Sequence, residues 1–161
     1  MHSRIYELSE RPIPADERLC IESVPDWFFS SISDYAEDIS DEDREDEIKW
    51  LSEYFHNLCT AEGDKLTFDP ATPEKRFKRN YSKFLEKAAA LTAMSYEAFC
   101  GRMGGRVLEY TLFELNDAYE DKYGFYVYEP ESLSLRPINA WLREADLTKP
   151  FYVGGIVNYH W

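Results

Sequence analysis

The chain is defined first by what is missing. No stretch approaches the ~20 consecutive apolar residues that a bilayer span needs. The opening residues, Met1-His2-Ser3-Arg4-Ile5-Tyr6-Glu7, hold no apolar run of the signal-peptide kind. The three cysteines, Cys20, Cys59 and Cys100, are odd in number and far apart, with no C-x-x-C pair. That pattern argues against a disulfide framework and for a reducing compartment, so the expected location is the cytoplasm.

Catalytic and cofactor motifs are missing too. There is no G-x-S-x-G turn to present a nucleophile, and two of the three histidines lie near the ends of the chain. Gly101-Arg102-Met103-Gly104-Gly105-Arg106 superficially suggests a phosphate loop, but it lacks the G-K-[ST] ending and a preceding strand. A break between two helices is the simpler reading. Asp41, Asp43 and Glu45 share the spacing of an EF-hand start, yet Asp46 stands where that loop needs glycine and Ser52 where it needs a bidentate Glu. His56 and Cys59 would need two further zinc ligands, and the remaining His and Cys are isolated, so Cys59 reads as a buried structural residue. No cofactor and no metal is assigned, and an enzyme is not the favoured class.

What is present is a core. At 161 residues, 44% hydrophobic and 16% aromatic, the chain fits one domain spanning 1–161 that folds without staples. Its net charge is −13, which repels phosphates and anionic membrane surfaces; neither nucleic acid nor membrane is expected as a direct partner. A basic protein is favoured in the encounter step.

That charge is uneven. Residues 1–70 hold 19 acidic and 6 basic side chains, whereas residues 71–161 hold 12 of each. Nine acids crowd into one segment: Asp34, Glu37, Asp38, Asp41, Glu42, Asp43, Glu45, Asp46 and Glu47, with only Arg44 among them. A basic stretch follows, with Lys75, Arg76, Lys78, Arg79, Lys83 and Lys87. Its outward face is expected to lie near the acidic segment and to offset that segment's self-repulsion.

Periodicity sketches the elements. Arg4–Leu8 alternates as a strand, and Pro12 and Pro14 impose a loop. Helical spacing of Phe28, Ile32, Tyr35, Ala36 and Ile39 predicts a helix opened by Pro25. Ser40 is the expected N-cap of a second helix with the apolar stripe Ile48, Leu51, Phe55 and Leu58, ended by Gly63. Lys65–Phe68 reads as a brief strand. Thr72-Pro73-Glu74 starts a third helix, lined by Phe77, Tyr81, Phe84, Leu85, Ala88 and Leu91. Ser95 restarts a short helix broken at Gly104-Gly105. A further helix over 106–122 is apolar on a wide arc and is expected to be central. Phe125–Tyr128 and the terminal Phe151–Trp161 read as strands, with a short helix from Pro137 between them. In the last strand the odd positions are expected to share one apolar face, and Gly154-Gly155 to mark a bulge or a close backbone approach. The expected architecture is α+β: a helix-rich single domain with a small, mainly antiparallel sheet built from the chain ends.

Three functional expectations follow. The leading one is a non-enzymatic interaction or regulatory domain whose nine-acid face meets a basic protein. A DNA-mimic antagonist of a DNA-binding protein is the alternative: a continuous helix over 34–47 would be about 21 Å long at ~1.5 Å per residue, against roughly 12 phosphates on duplex DNA at one per ~1.7 Å. The third is an enzyme or contact surface on a Tyr-rich sheet face formed by Tyr126, Tyr128, Tyr152 and His160. Oligomeric state is not legible.

Overall fold

In a computed structural model, which describes residues 1–56, 58–101 and 106–161, the chain ends meet at the centre of one sheet. Strand β1 (His2–Ser9) pairs antiparallel with β7 (Phe151–His160) along most of its length. On its other side β1 pairs in parallel with β5 (Tyr126–Glu129), which forms a hairpin with β6 (Ser134–Pro137). The far edge of β7 is shared. Its start pairs with β4 (Lys65–Phe68), itself in a hairpin with β3 (Cys59–Glu62), and its end pairs with β2 (Tyr35–Asp38).

The sheet therefore departs from the small, mainly antiparallel one expected from the chain ends. It has seven strands, five of them from the chain interior, and it is mixed because β1 and β5 run in parallel. The missed strands β2, β3 and β6 are only four residues each and largely polar, too short for alternation to outweigh a helical pattern. Tyr35, Ala36 and Ile39 accordingly do not continue a helix from Pro25: α1 ends after Asp26–Ser31, and the chain turns into β2.

Both faces of the sheet are covered. One carries Tyr6, Leu8, Val127, Leu66 and Ile156 beneath α2 (Arg44–Tyr54) and beneath α6 (Ile138–Leu142), whose Trp141 is fully buried. The other carries Ile5, Tyr126, Tyr128, Val157 and Tyr159 beneath α1, Leu19 and Val24. Helix α2 buries Ile48 and Leu51, as their spacing requires, but it begins at Arg44 rather than beside Ser40 and ends at Tyr54, well before Gly63. Gly63 instead turns the β3–β4 hairpin at φ 58°. Cys59 consequently sits on β3 and not on a helix with His56; it is buried, and burial pushes its thiol up to about 12.

The glycine pair behaves as a bulge. Tyr6 lies opposite Ile156 but Leu8 lies opposite Val153, so β7 carries extra residues against Glu7. The bulge also overturns the expectation of a single apolar face in β7. Phe151 and Val153 face α2, whereas Val157 and Tyr159 face α1, because the inserted residue swaps the alternation. Glu7 is buried at this point, and its Oε2 accepts the N–H groups of Leu19 and Gly155, both at 2.7 Å.

The remaining helices form a separate layer. α3 (Thr72–Thr92) and α5 (Val107–Glu120) pack side by side, joined through the short α4 (Tyr96–Phe99), which Ser95 caps by accepting the Ala98 N–H. The expected break at Gly104-Gly105 lies outside the described residues. α5 is peripheral rather than central: only Thr111 and Ala118 are buried along it, while Val107, Tyr110, Leu112, Phe113 and Tyr119 are exposed. No helix among the described residues is long and apolar enough to cross a membrane.

Candidate functional site

The acidic segment is partly consumed by the fold. It runs through β2, a turn and the first turn of α2, so it is not one helical rod. Asp34 Oδ1 meets His160 Nδ1 at 2.8 Å, and that hydrogen bond holds the Asp34 carboxyl below the usual range. Glu37 accepts from the Asn158 amide at 2.7 Å and from the Tyr35 hydroxyl at 2.9 Å, which lowers it likewise. Asp38 accepts the Ile21 N–H, Asp41 pairs with Arg18, and Asp43 accepts the Ser40 hydroxyl. Glu47 takes the Arg4 guanidinium through both oxygens at 2.8 and 2.9 Å. Only Glu42, Glu45 and Asp46 stand exposed without an ion pair or hydrogen bond among the described residues. Arg44, the one cation of the segment, is buried and donates to the carbonyls of Val153 and Gly154 and to Asp64, filling the gap left on β7 between β4 and β2.

The four residues of the expected Tyr-rich face do not form one open surface. Tyr126 and Tyr128 are 2% and 8% exposed, with Tyr126 packed edge-on against Phe28 at 4.9 Å. Tyr152 is half-buried, and His160 points to the opposite side of the sheet from Tyr159.

The basic stretch also finds different partners from those expected. Among the described residues Arg76 and Lys87 turn to Asp121 and Glu114, Lys75 and Lys78 to Asp69 and Glu74, and none of these four to residues 34–47. Arg76 is a node: Nε donates to Asn139 Oδ1 at 2.6 Å, Nη2 meets Asp121 Oδ2 at 2.9 Å and the Tyr54 hydroxyl, and the guanidinium lies over the Tyr54 ring at 4.7 Å. Burial and the Asp121 charge push the Tyr54 hydroxyl up to about 12. Lys87 meets Glu114 at 2.9 Å, and Lys75 meets Asp69 at 2.8 Å.

The α3–α5 hairpin thus has a polar side and an apolar one. On the apolar side Phe77, Tyr81 and Phe84 of α3 face Ala118 and Tyr119 of α5 across a groove of about 390 Å³. Arg143 crosses one end, its guanidinium 5.1 Å from the Phe77 ring and 4.8 Å from the Tyr119 ring. Of the apolar stripe of α3, Phe77 is the residue that packs against the main core. Among the described residues, nine of the fourteen exposed large hydrophobic side chains fall between Tyr81 and Tyr119. Tyr81 is 61% exposed and Leu85 48%, although both belong to the stripe that the sequence marks as the inner face of α3. The stripe was legible, but the failure of the domain to cover it was not.

The chain matches no family model, no curated protein and no solved structure.

Proposed function

We propose that this protein is a non-enzymatic interaction domain that grips a basic amphipathic segment of another protein with the apolar side of the α3–α5 hairpin. The observation that carries this reading is the concentration of exposed large apolar side chains between Tyr81 and Tyr119. An apolar groove flanked by exposed rings such as Tyr81 and Tyr119 is what a partner-binding surface presents. The groove suits a helix laid along it, with large apolar side chains at three- and four-residue spacing.

Charge selects the partner's sign. The selection is long-range: the molecule as a whole carries −13, while the hairpin itself presents exposed Arg79 and Lys83 as well as Glu97, Glu109 and Glu120. The acidic N-terminal part, with Glu42, Glu45 and Asp46 free, raises the encounter rate of a cation-rich partner, and the apolar groove sets how long it stays.

Two labelled synthetic amphipathic helices of equal length, one Leu/Lys and one Leu/Glu, test this by fluorescence anisotropy. The Leu/Lys helix is expected to bind saturably and to weaken as salt rises. The Tyr81→Asp, Tyr119→Asp double variant is expected to lose that binding even though it adds negative charge, because both side chains are exposed and line the groove, so only the apolar contact is removed. Equal binding of the Leu/Glu helix, or unchanged affinity in the double variant, would overturn the proposal. So would a stable dimer of the wild-type chain that the double variant dissolves, since the groove would then serve self-association.

A further inference from the structure

The polar side of the same hairpin holds a second feature that the interaction reading does not use. Beyond the seam formed by Asn80 and Ala118, a cleft of about 210 Å³ opens between the end of α2, α3, α5 and α6. Its floor is the Arg76 node, already engaged with Tyr54, Asp121 and Asn139. Its mouth is lined by Arg79 and Lys83, one helical turn apart on α3, and by His56. Neither Arg79 nor Lys83 is in an ion pair among the described residues, and both side chains are exposed.

Asn139 supplies an independent sign of a missing partner. It is fully buried, its Oδ1 is taken by Arg76, and its Nδ2 has no hydrogen-bond acceptor. Buried amide donors are almost always satisfied, and this one belongs to a residue lining the cleft. The arrangement offers two free cations at the entrance and an unused neutral donor at the base.

We infer that this cleft binds a small oxyanion, a phosphate or carboxylate group held by Arg79 and Lys83. Guanidinium and ammonium groups make their strongest hydrogen bonds to such oxygens. Size sets the class. Drug-sized pockets run to about 300–1,000 Å³, so the ligand here is smaller: free phosphate, a short phosphate ester or a small carboxylate, and not a nucleic acid. Asp117 and Asp121 on the opposite wall repel a second anionic group, which restricts the ligand to one charged end and a neutral or hydroxylated body.

The test is a two-dimensional NMR titration of the full chain with sodium phosphate, with glycerol 3-phosphate and with glycolate in separate arms, at ionic strength fixed with sodium chloride. Saturable shifts centred on Arg79, Lys83, Asp117 and Asn139 are expected in at least one arm, and the arm that saturates names the group. The Arg79→Gln, Lys83→Gln variant is expected to weaken binding about tenfold or more. The Lys75→Gln, Lys78→Gln variant carries the same change of charge at α3 residues that do not line the cleft and is expected to bind as the wild type does. Linear shifts that chloride reproduces in all three arms would overturn the inference, as would equal loss in both variants, which would report only the general charge of the helix.

Discussion

Gly154 and Gly155 look alike in the sequence, but they do different work. A Cβ on Gly155 would lie 2.0 Å from the Leu19 carbonyl oxygen, which is backbone and fixed by its neighbours. A Cβ on Gly154 would lie 2.0 Å from Glu7 Oε2 and 2.6 Å from Ile13 Cδ1, and Glu7 cannot move away without giving up the Leu19 and Gly155 N–H groups. Gly155→Ala and Gly154→Ala are therefore both expected to destabilise by about 3 kcal/mol, the first by overpacking against backbone and the second by also displacing Glu7; urea unfolding compares them. Glu7 itself has a raised pKa, chiefly because burial disfavours the carboxylate. Its folded form binds a proton more readily than its unfolded form, so its contribution falls as pH rises from the ordinary carboxylate value through the raised one. Glu7→Gln should flatten that part of the pH–stability curve while its amide oxygen still accepts from Leu19 and Gly155. Glu7→Ala should cost stability at every pH, because both N–H groups lose their acceptor. The glycine pair could be read from the sequence as a bulge. Glu7 could not, since a polar residue in an alternating strand looks like an outward-facing one.

The helices show where local patterns stop being sufficient. α3 and α6 lie close to where their apolar periodicity and the signals at Pro73 and Pro137 place them, whereas α2 keeps its Ile48 and Leu51 face but is shorter at both ends. Phe28, Ile32, Tyr35, Ala36 and Ile39 also repeat at helical spacing, yet the chain leaves α1 after Ser31 because β7 offers an unpaired edge that β2 fills. That edge belongs to residues far away in sequence, and no local window contains it. The hairpin was missed for the complementary reason. Periodicity shows which side of α3 and of α5 is apolar, and it says nothing about whether anything covers that side. What holds the hairpin to the domain is concentrated in Arg76, which bonds to α2, α6 and the end of α5 and is largely buried with Asp121. Arg76→Ala is expected to cost roughly 3–5 kcal/mol, since it strands a partly buried carboxylate. Lys78→Ala, which removes an exposed pair with Glu74, should leave the unfolding midpoint where it is.

Taken whole, the molecule carries an excess of negative charge that its internal pairs offset only locally. Arg4–Glu47, Arg18–Asp41 and Arg44–Asp64 tie the acidic part to the sheet and its flanking loops, but the net of −13 remains. Thermal unfolding is expected to shift upward as sodium chloride is raised from low to moderate concentration, because screening relieves self-repulsion over distances beyond the Debye length of about 8–10 Å more than it weakens short pairs. A midpoint that falls with salt would mean that the pairs outweigh the repulsion. The sign imbalance between residues 1–70 and 71–161 was plain in the sequence; its use as strand edges and turn anchors was not, since His160, Asn158 and Arg4, which meet Asp34, Glu37 and Glu47, sit on β7 or β1. The central position of β7 also has a consequence for the order in which the protein can be made. β7 is the last of these seven strands to be synthesised, and β1, β2 and β4 all pair with it. At about 5–20 residues per second, β1 waits on the order of ten seconds for its main partner. Until then three strand edges stand open, and in that interval the nascent chain is most exposed to chaperones and to aggregation.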